Sequence, residues 1–246
     1  MNTLVRVLLA AVLLSAPLAH AGRAMSETDP SKVFADARTA ALATAAADGD
    51  AARVKALVAA GADPNGRGSE GVTVLEWAML RRSARGVDAL LDVGADPNRP
   101  GLGGATALHV AAMADDPSYL KRLLERGADP NAPHGATGAP PLSAALMNLD
   151  GTSFDLLLAH RADPNRADRL GDTPLHVAAQ VHKTDDVLKL LDAGADPTRR
   201  NQRGQTFQTY FDIAPAGGFS AAAQAKRQAV FDWLSRHGVP IEKPAH

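Results

Sequence analysis

Gly171-Asp172-Thr173-Pro174-Leu175-His176-Val177-Ala178-Ala179, with the turn that closes the same segment, Gly194-Ala195-Asp196-Pro197-Thr198, decides how this chain folds. Thr173 stands where a hydroxyl can cap a helix, and Pro174 fills its first turn, where a missing N–H costs nothing. Ala178 and Ala179 keep one helix face narrow enough for close stacking. A second helix follows through Asp186-Val187-Leu188-Lys189-Leu190-Leu191, with Val187, Leu188, Leu190 and Leu191 at helical spacing and Lys189 turned outward. Gly194 then supplies a left-handed residue, Asp196 can bond its own turn, and Pro197 stops the helix from resuming.

Working outward, the closing turn returns as Gly61 to Asn65, Gly94 to Asn98, Gly127 to Asn131 and Arg161 to Asn165. The opening signal runs in phase as Gly71-Val72-Thr73, Gly104-Ala105-Thr106, Gly138-Ala139-Pro140 and Gly204-Gln205-Thr206. Two phased signals at one fixed period mean a repeat array. Each short helix is marginal alone in water and must bury its apolar face on its neighbours. Six helix pairs are expected, at residues 39–65, 71–98, 104–131, 138–165, 171–198 and 204–240, within a repeat domain at 39–240. The first lacks the opening signal. The last puts Gln208 where leucine belongs, inserts Ala214-Pro215-Ala216-Gly217-Gly218, and ends on Trp233-Leu234 and a worn turn, His237-Gly238-Val239-Pro240. Atypical ends are the rule in such arrays, because terminal repeats face water on one side.

Two departures lie inside the array. Arg161 stands where other copies have glycine, which predicts a non-glycine residue held left-handed. An extra residue between Asn131 and Gly138, around Pro133-His134-Gly135, falls on a loop, where solenoids accept insertions.

These motifs resemble the ankyrin repeat, whose pattern of G-x-T-P-L-H-x-A-A, a second helix and then G-A-D-x-N is matched best by Gly171 to Thr198 and nearly by Thr106 to Ala112. The resemblance covers about residues 39 to 240 and implies an all-α solenoid of helix-turn-helix units joined by β-hairpin-like loops. It also implies that His109 and His176 are structural hydrogen-bonding residues rather than paired metal ligands.

Flanking segments have their own signatures. Met1 to Arg6 is a short basic stretch, Val7 to Leu14 an apolar one, and Ala19-His20-Ala21 a cleavage site after Pro17, so residues 1–21 read as a signal peptide with the mature chain starting near Gly22. The apolar stretch is shorter than the roughly 20 residues of a membrane-spanning helix, so no stable anchor is expected after cleavage. Residues 22–38 read as a polar tail or an extra capping turn and 241–246 as a C-terminal tail. Composition, at 46% hydrophobic and 22% charged, is that of a soluble globular protein, and 4% aromatic content points to many thin-helix contacts instead of one deep core. Zero cysteines exclude disulfides and thiol chemistry, and a net charge of −1 selects no partner class.

No catalytic, metal-binding or cofactor-binding constellation is present: there is no H-E-x-x-H, P-loop or G-x-S-x-G. Asp63, Asp96, Asp129, Asp163 and Asp196 each precede a proline in the same turn, which favours turn capping over a calcium ladder. The expectation is a non-catalytic scaffold, periplasmic and monomeric, that binds a folded protein and not nucleic acid. The alternative is a secreted effector that binds host proteins.

Partners of proteins resembling this one lie along the concave side, on loop tips and the exposed face of each first helix. Here the loops carry Arg67, Arg99, Arg166, Arg169, Arg199, Arg200 and Arg203 against Glu70 and Asp168. Arginine suits carboxylates through its planar fork, so an acidic protein surface is the preferred target. His134 lies on the longest loop, and on the helices the positions after the alanine pair include Arg81, Met113, Met147, Asn148 and Gln180. Trp77, standing where Val110 and Val177 stand, is expected between repeats and not on display.

Overall fold

The exit turns set the architecture. Six times, an alanine or valine N–H reaches back to a leucine carbonyl: Ala62 to Leu57, Ala95 to Leu90, Ala128 to Leu123, Ala162 to Leu157, Ala195 to Leu190 and Val239 to Leu234, at 2.9 to 3.0 Å. This is the bond that closes a helix around a left-handed residue. Gly61, Gly94, Gly127, Gly194 and Gly238 hold that residue's positive φ, and Arg161 holds it at 64° without glycine's freedom. The last bond shows that the worn turn at His237 to Pro240 closes like the others.

The computed structural model describes residues 29–148, 150–211 and 220–242. The expected signal peptide at 1–21, residues 22–28, the 214–218 insertion and residues 243–246 lie outside them. The chain divides into two compact units, Met1–Ala107 and Leu108–His246. The described part of the first contains α1 (Pro30–Val33), α2 (Ala37–Ala47), α3 (Ala51–Ala59), α4 (Val74–Leu80) and α5 (Ala84–Asp92). Helix α6 (Ala107–Met113) begins at the division, and the second unit continues with α7 (Ser118–Glu125), α8 (Pro141–Ala145), α9 (Thr152–Ala159), α10 (Pro174–Gln180), α11 (Thr184–Asp192), α12 (Phe207–Phe211) and α13 (Ala221–Arg236). Among the described residues no helix is long and apolar enough to cross a membrane.

In the first unit, α2 packs on α3, α4 and α5, and α4 on α5. Asp36, Asp50 and Ser83 accept the N–H three residues on and so start α2, α3 and α5. Leu42, Val54, Leu75, Trp77, Val87 and Leu90 form its core. Trp77 is fully buried, as its sequence position implied, and meets Phe34 edge-on at 5.7 Å. Phe34 and Val33 thus bring part of the stretch before residue 39 into this core.

In the second unit, α8 packs on α9 and α10, α10 on α11 and α12, and α11 on α13. Leu108, Leu123, Leu142, Phe154, Leu157, Leu175, Leu190, Phe207 and Leu234 are buried. Gln208, out of place in the motif, is buried because its side chain ties down the chain end, donating to the Pro240 carbonyl and accepting from the Glu242 N–H.

The loops are hairpin-like without being strands. The same closing bond recurs in each: Gly68 N–H to Val72, Gly101 to Ala105, His134 to Ala139, Asp168 to Asp172 and Asn201 to Gln205; in the first loop a second bond, Val74 N–H to Gly66, pairs Arg67 with Thr73 as an isolated bridge. The extra residue of the 131–138 loop lies inside its closing bond, which spans five residues where the others span four. The array is an all-α repeat solenoid in element content and order.

Candidate partner-binding surface

Most polar motif residues are engaged within the fold, whether exposed or buried. Each of Asp63, Asp96, Asp129, Asp163 and Asp196 accepts the N–H two residues on, at 2.8 to 2.9 Å. The asparagine that follows links one repeat to the next. Asn65 Oδ1 accepts from the Asp96 N–H, Asn131 from Asp163 and Asn165 from Asp196, all at 2.7 Å. These side chains form the scaffold.

The motif histidines do the same. His176 Nδ1 accepts from the Thr173 N–H at 3.2 Å, which leaves Nε2–H to donate to the Gln205 carbonyl at 3.0 Å. His109 Nε2–H donates to the Ala139 carbonyl at 2.9 Å. Burial pushes the His109 pKa down to about 4, against the raising effect of that bond, so the ring is neutral at pH 7. Glu76 occupies the same position in its repeat: Oε2 accepts from the Thr73 N–H and hydroxyl and from the Leu102 N–H. Its burial raises the carboxyl pKa.

The expected binding residues fall into three groups. Four of the loop arginines are engaged within the fold. Arg67 donates to the Pro100 carbonyl. Arg169 bridges the carbonyls of Ala136, at 2.6 Å, and Gly135, at 2.9 Å. Arg203 donates to the Tyr210 hydroxyl at 2.6 Å, and Arg200 to the Gly204 carbonyl and Glu242. By contrast, Arg99, Arg166 and Arg199 are exposed, and among the described residues their guanidinium groups have no hydrogen-bond or ion-pair partner. All three directly follow the last motif residue of their turns, Asn98, Asn165 and Thr198.

On the helices, Arg81 is half-buried with its guanidinium 5.8 Å from the Trp77 ring centre. Met113 and Gln180 are half-buried at helix ends, and Met147 is half-buried in the turn after α8. His134 is half-buried too; its Nδ1 accepts from the Ala136 and Thr137 N–H groups, and its ring meets His109 edge-on at 5.4 Å. Asn148 is a correction. Helix α8 stops at Ala145, the chain turns inward, and Asn148 is buried, donating to the Ala114 carbonyl at 2.7 Å and accepting from the Asp150 N–H. It braces the scaffold and is not on display.

Sequence reasoning missed Leu170, one of the two large hydrophobic side chains exposed among the described residues, at 48%. Its backbone is fixed, with the N–H on Asp168 Oδ1 and the carbonyl accepting from Gln202. The signal was present: the residue before the loop glycine is Glu70, Gly103, Thr137 and Arg203 in the other loops and leucine only here.

The family model described as ankyrin repeats (three copies) matches residues 42–134 and 108–201. Among solved structures, the ankyrin repeat domain of Bcl-3, a member of the IkappaB family, is 30% identical with a TM-score of 0.62, over 76% of this chain and 81% of that one. A chain from the complex of the predatory endopeptidase Bd0816 of Bdellovibrio bacteriovorus with the immunity protein Bd3460 is 28% identical with a TM-score of 0.59, over 78% of this chain and 97% of that one.

Proposed function

The chain belongs to the ankyrin-repeat family, and from that premise we propose that it is an exported, non-catalytic scaffold that binds a folded protein partner in the periplasm. Ankyrin repeats mediate protein–protein interaction. The observation that carries the reading is a division between side chains. Motif aspartates, asparagines and histidines are held in turn and inter-repeat bonds, whereas the guanidinium groups of Arg99, Arg166 and Arg199 make no hydrogen bond or ion pair among the described residues. A rigid frame with unengaged side chains on its loop ends suits recognition of a preformed surface, because the backbone loses little ordering entropy on binding and only the arginine side chains have to be ordered. His109, whose pKa falls to about 4, and Glu76, whose pKa is raised, are buried in structural bonds and so are poorly placed to act on a substrate.

Export is supported by the basic, apolar and A-x-A segments of residues 1–21. The finer role we propose is that of an immunity or accessory factor, which covers the active cleft of an enzyme or toxin met in the same compartment. Its support is the likeness to a chain from a complex of an endopeptidase with an immunity protein. Cell fractionation with N-terminal sequencing tests the location, and the expected product is a periplasmic protein starting near Gly22. Co-expression with the partner captured from that fraction tests the role: protection of the host cell, or loss of the partner's activity, is expected. A full-length product confined to the cytoplasm contradicts the proposal.

A further inference from the structure

Three loops of the second unit are laced into one surface. Besides the Arg169 bridge to Gly135 and Ala136, the Arg169 N–H donates to the Thr137 carbonyl at 2.8 Å. Gln202 Nε2 donates to the Arg169 carbonyl at 2.7 Å. Between these loops lies a cleft of about 450 Å³ lined by Pro133, Gly138, Arg166, Asp168, Arg169 and Arg199, among others. Two aspartates line it as well, each with one oxygen held by backbone: Asp163 Oδ1 accepts from Asn165, and Asp168 Oδ1 from Leu170 and Asp172. Arg166 and Arg199 are exposed, and among the described residues their guanidinium groups have no hydrogen-bond or ion-pair partner, the Arg199 charge acting on Asp196 from a distance. The exposed Leu170 follows Arg169 in the chain.

We infer that this cleft receives an acidic segment of the protein partner, in which carboxylates pair with Arg166 and Arg199 and an apolar residue covers Leu170. The inference rests on the protein-binding reading above and names the place and chemistry of recognition. A guanidinium fork matches a carboxylate in two parallel bonds, and the loops that carry two such forks are bonded to one another, so their backbone meets a partner without being reorganised. The leucine supplies the apolar contact that a phosphate would leave uncovered. No aromatic side chain lines the cleft, so it lacks the stacking platform on which single-stranded nucleic acid is held.

The test uses the purified protein and a fluorescent peptide alternating glutamate with leucine, followed by anisotropy at low salt. Arg166→Ala/Arg199→Ala should weaken binding about tenfold or more, the loss of two exposed charge-assisted pairs. Leu170→Asp should weaken it further, a glutamine version of the peptide should bind much less, and Arg53→Glu, on an exposed face of α3, should change nothing. Because neither guanidinium holds the fold, the double variant should melt where the parent does. Unchanged affinity in the double variant, equal binding of the glutamine peptide, displacement by inorganic phosphate at matched ionic strength, or a lowered melting temperature would each overturn the inference. The captured partner separates the two levels. If it stays fully bound to the double variant, the cleft is wrong and the scaffold stands; if the parent retains no protein, the scaffold reading itself fails.

Discussion

Arg161, with φ at 64°, holds a left-handed turn that five sister turns entrust to glycine. Holding a side chain there costs about 1 kcal/mol, so Arg161→Gly should raise the melting temperature by roughly 2–4 °C in a chain of this size. Differential scanning calorimetry measures it, and no rise would contradict this account of the turn. His109 makes a pH prediction. Its pKa falls from 6.5 to about 4 on folding, so between those values the unfolded chain holds a proton that the native state refuses. Stability from this group is therefore complete above pH 6.5 and is lost as pH falls towards 4, by about 3 kcal/mol at most. His134 and His176 are shifted in the same direction. Glu76 opposes them: its raised pKa makes the folded state hold its proton longer, so its contribution falls as pH rises above 4.5. Urea unfolding at pH 7 and pH 5 should show a smaller loss for His109→Gln than for the parent, although the variant starts less stable at pH 7. Parallel losses would contradict the buried neutral ring.

At the scale of the element, the unit of the fold is a turn and its link to the next turn. Asn165 donates to the Gly194 carbonyl at 2.9 Å and accepts from the Asp196 N–H at 2.7 Å. Asn165→Ala should remove both bonds and destabilise the second unit by roughly 1–3 kcal/mol, read by chemical denaturation. A neutral result would mean that the turns are joined by apolar burial alone. The turns were legible in the sequence because they rest on local chemistry repeated in phase: an aspartate bonding two residues on, a proline, a left-handed position. The arginines were less so. Arg99, Arg166 and Arg199 look like Arg67 and Arg169 in sequence, yet the first three lie beside the motif residue and stay unengaged, whereas the other two lie further along the loop and reach carbonyls about one repeat away. That difference depends on the register of neighbouring loops, which no local pattern contains. Asn148 was misread for a related reason: the early end of α8 turns inward a position that faces outward in a longer helix.

At the scale of the whole chain, stability in a repeat array is a sum of repeats and their interfaces, so no single deep core has to be conserved for the surface to diversify. The bonds that hold the frame recur from repeat to repeat, while the residues at the loop tips differ: Glu70, Gly103, Thr137, Leu170 and Arg203 share one loop position. A frame of this kind can change partner without changing fold. Its central claim is that the outward face binds one folded protein. The direct measurement is capture from a periplasmic extract on the immobilised protein, followed by calorimetric titration of the captured partner against the free one. The account predicts a saturable complex of fixed stoichiometry from which the partner is recovered chemically unchanged. Retention of no protein beyond an unrelated repeat control, or recovery of a cleaved or modified partner, would contradict it.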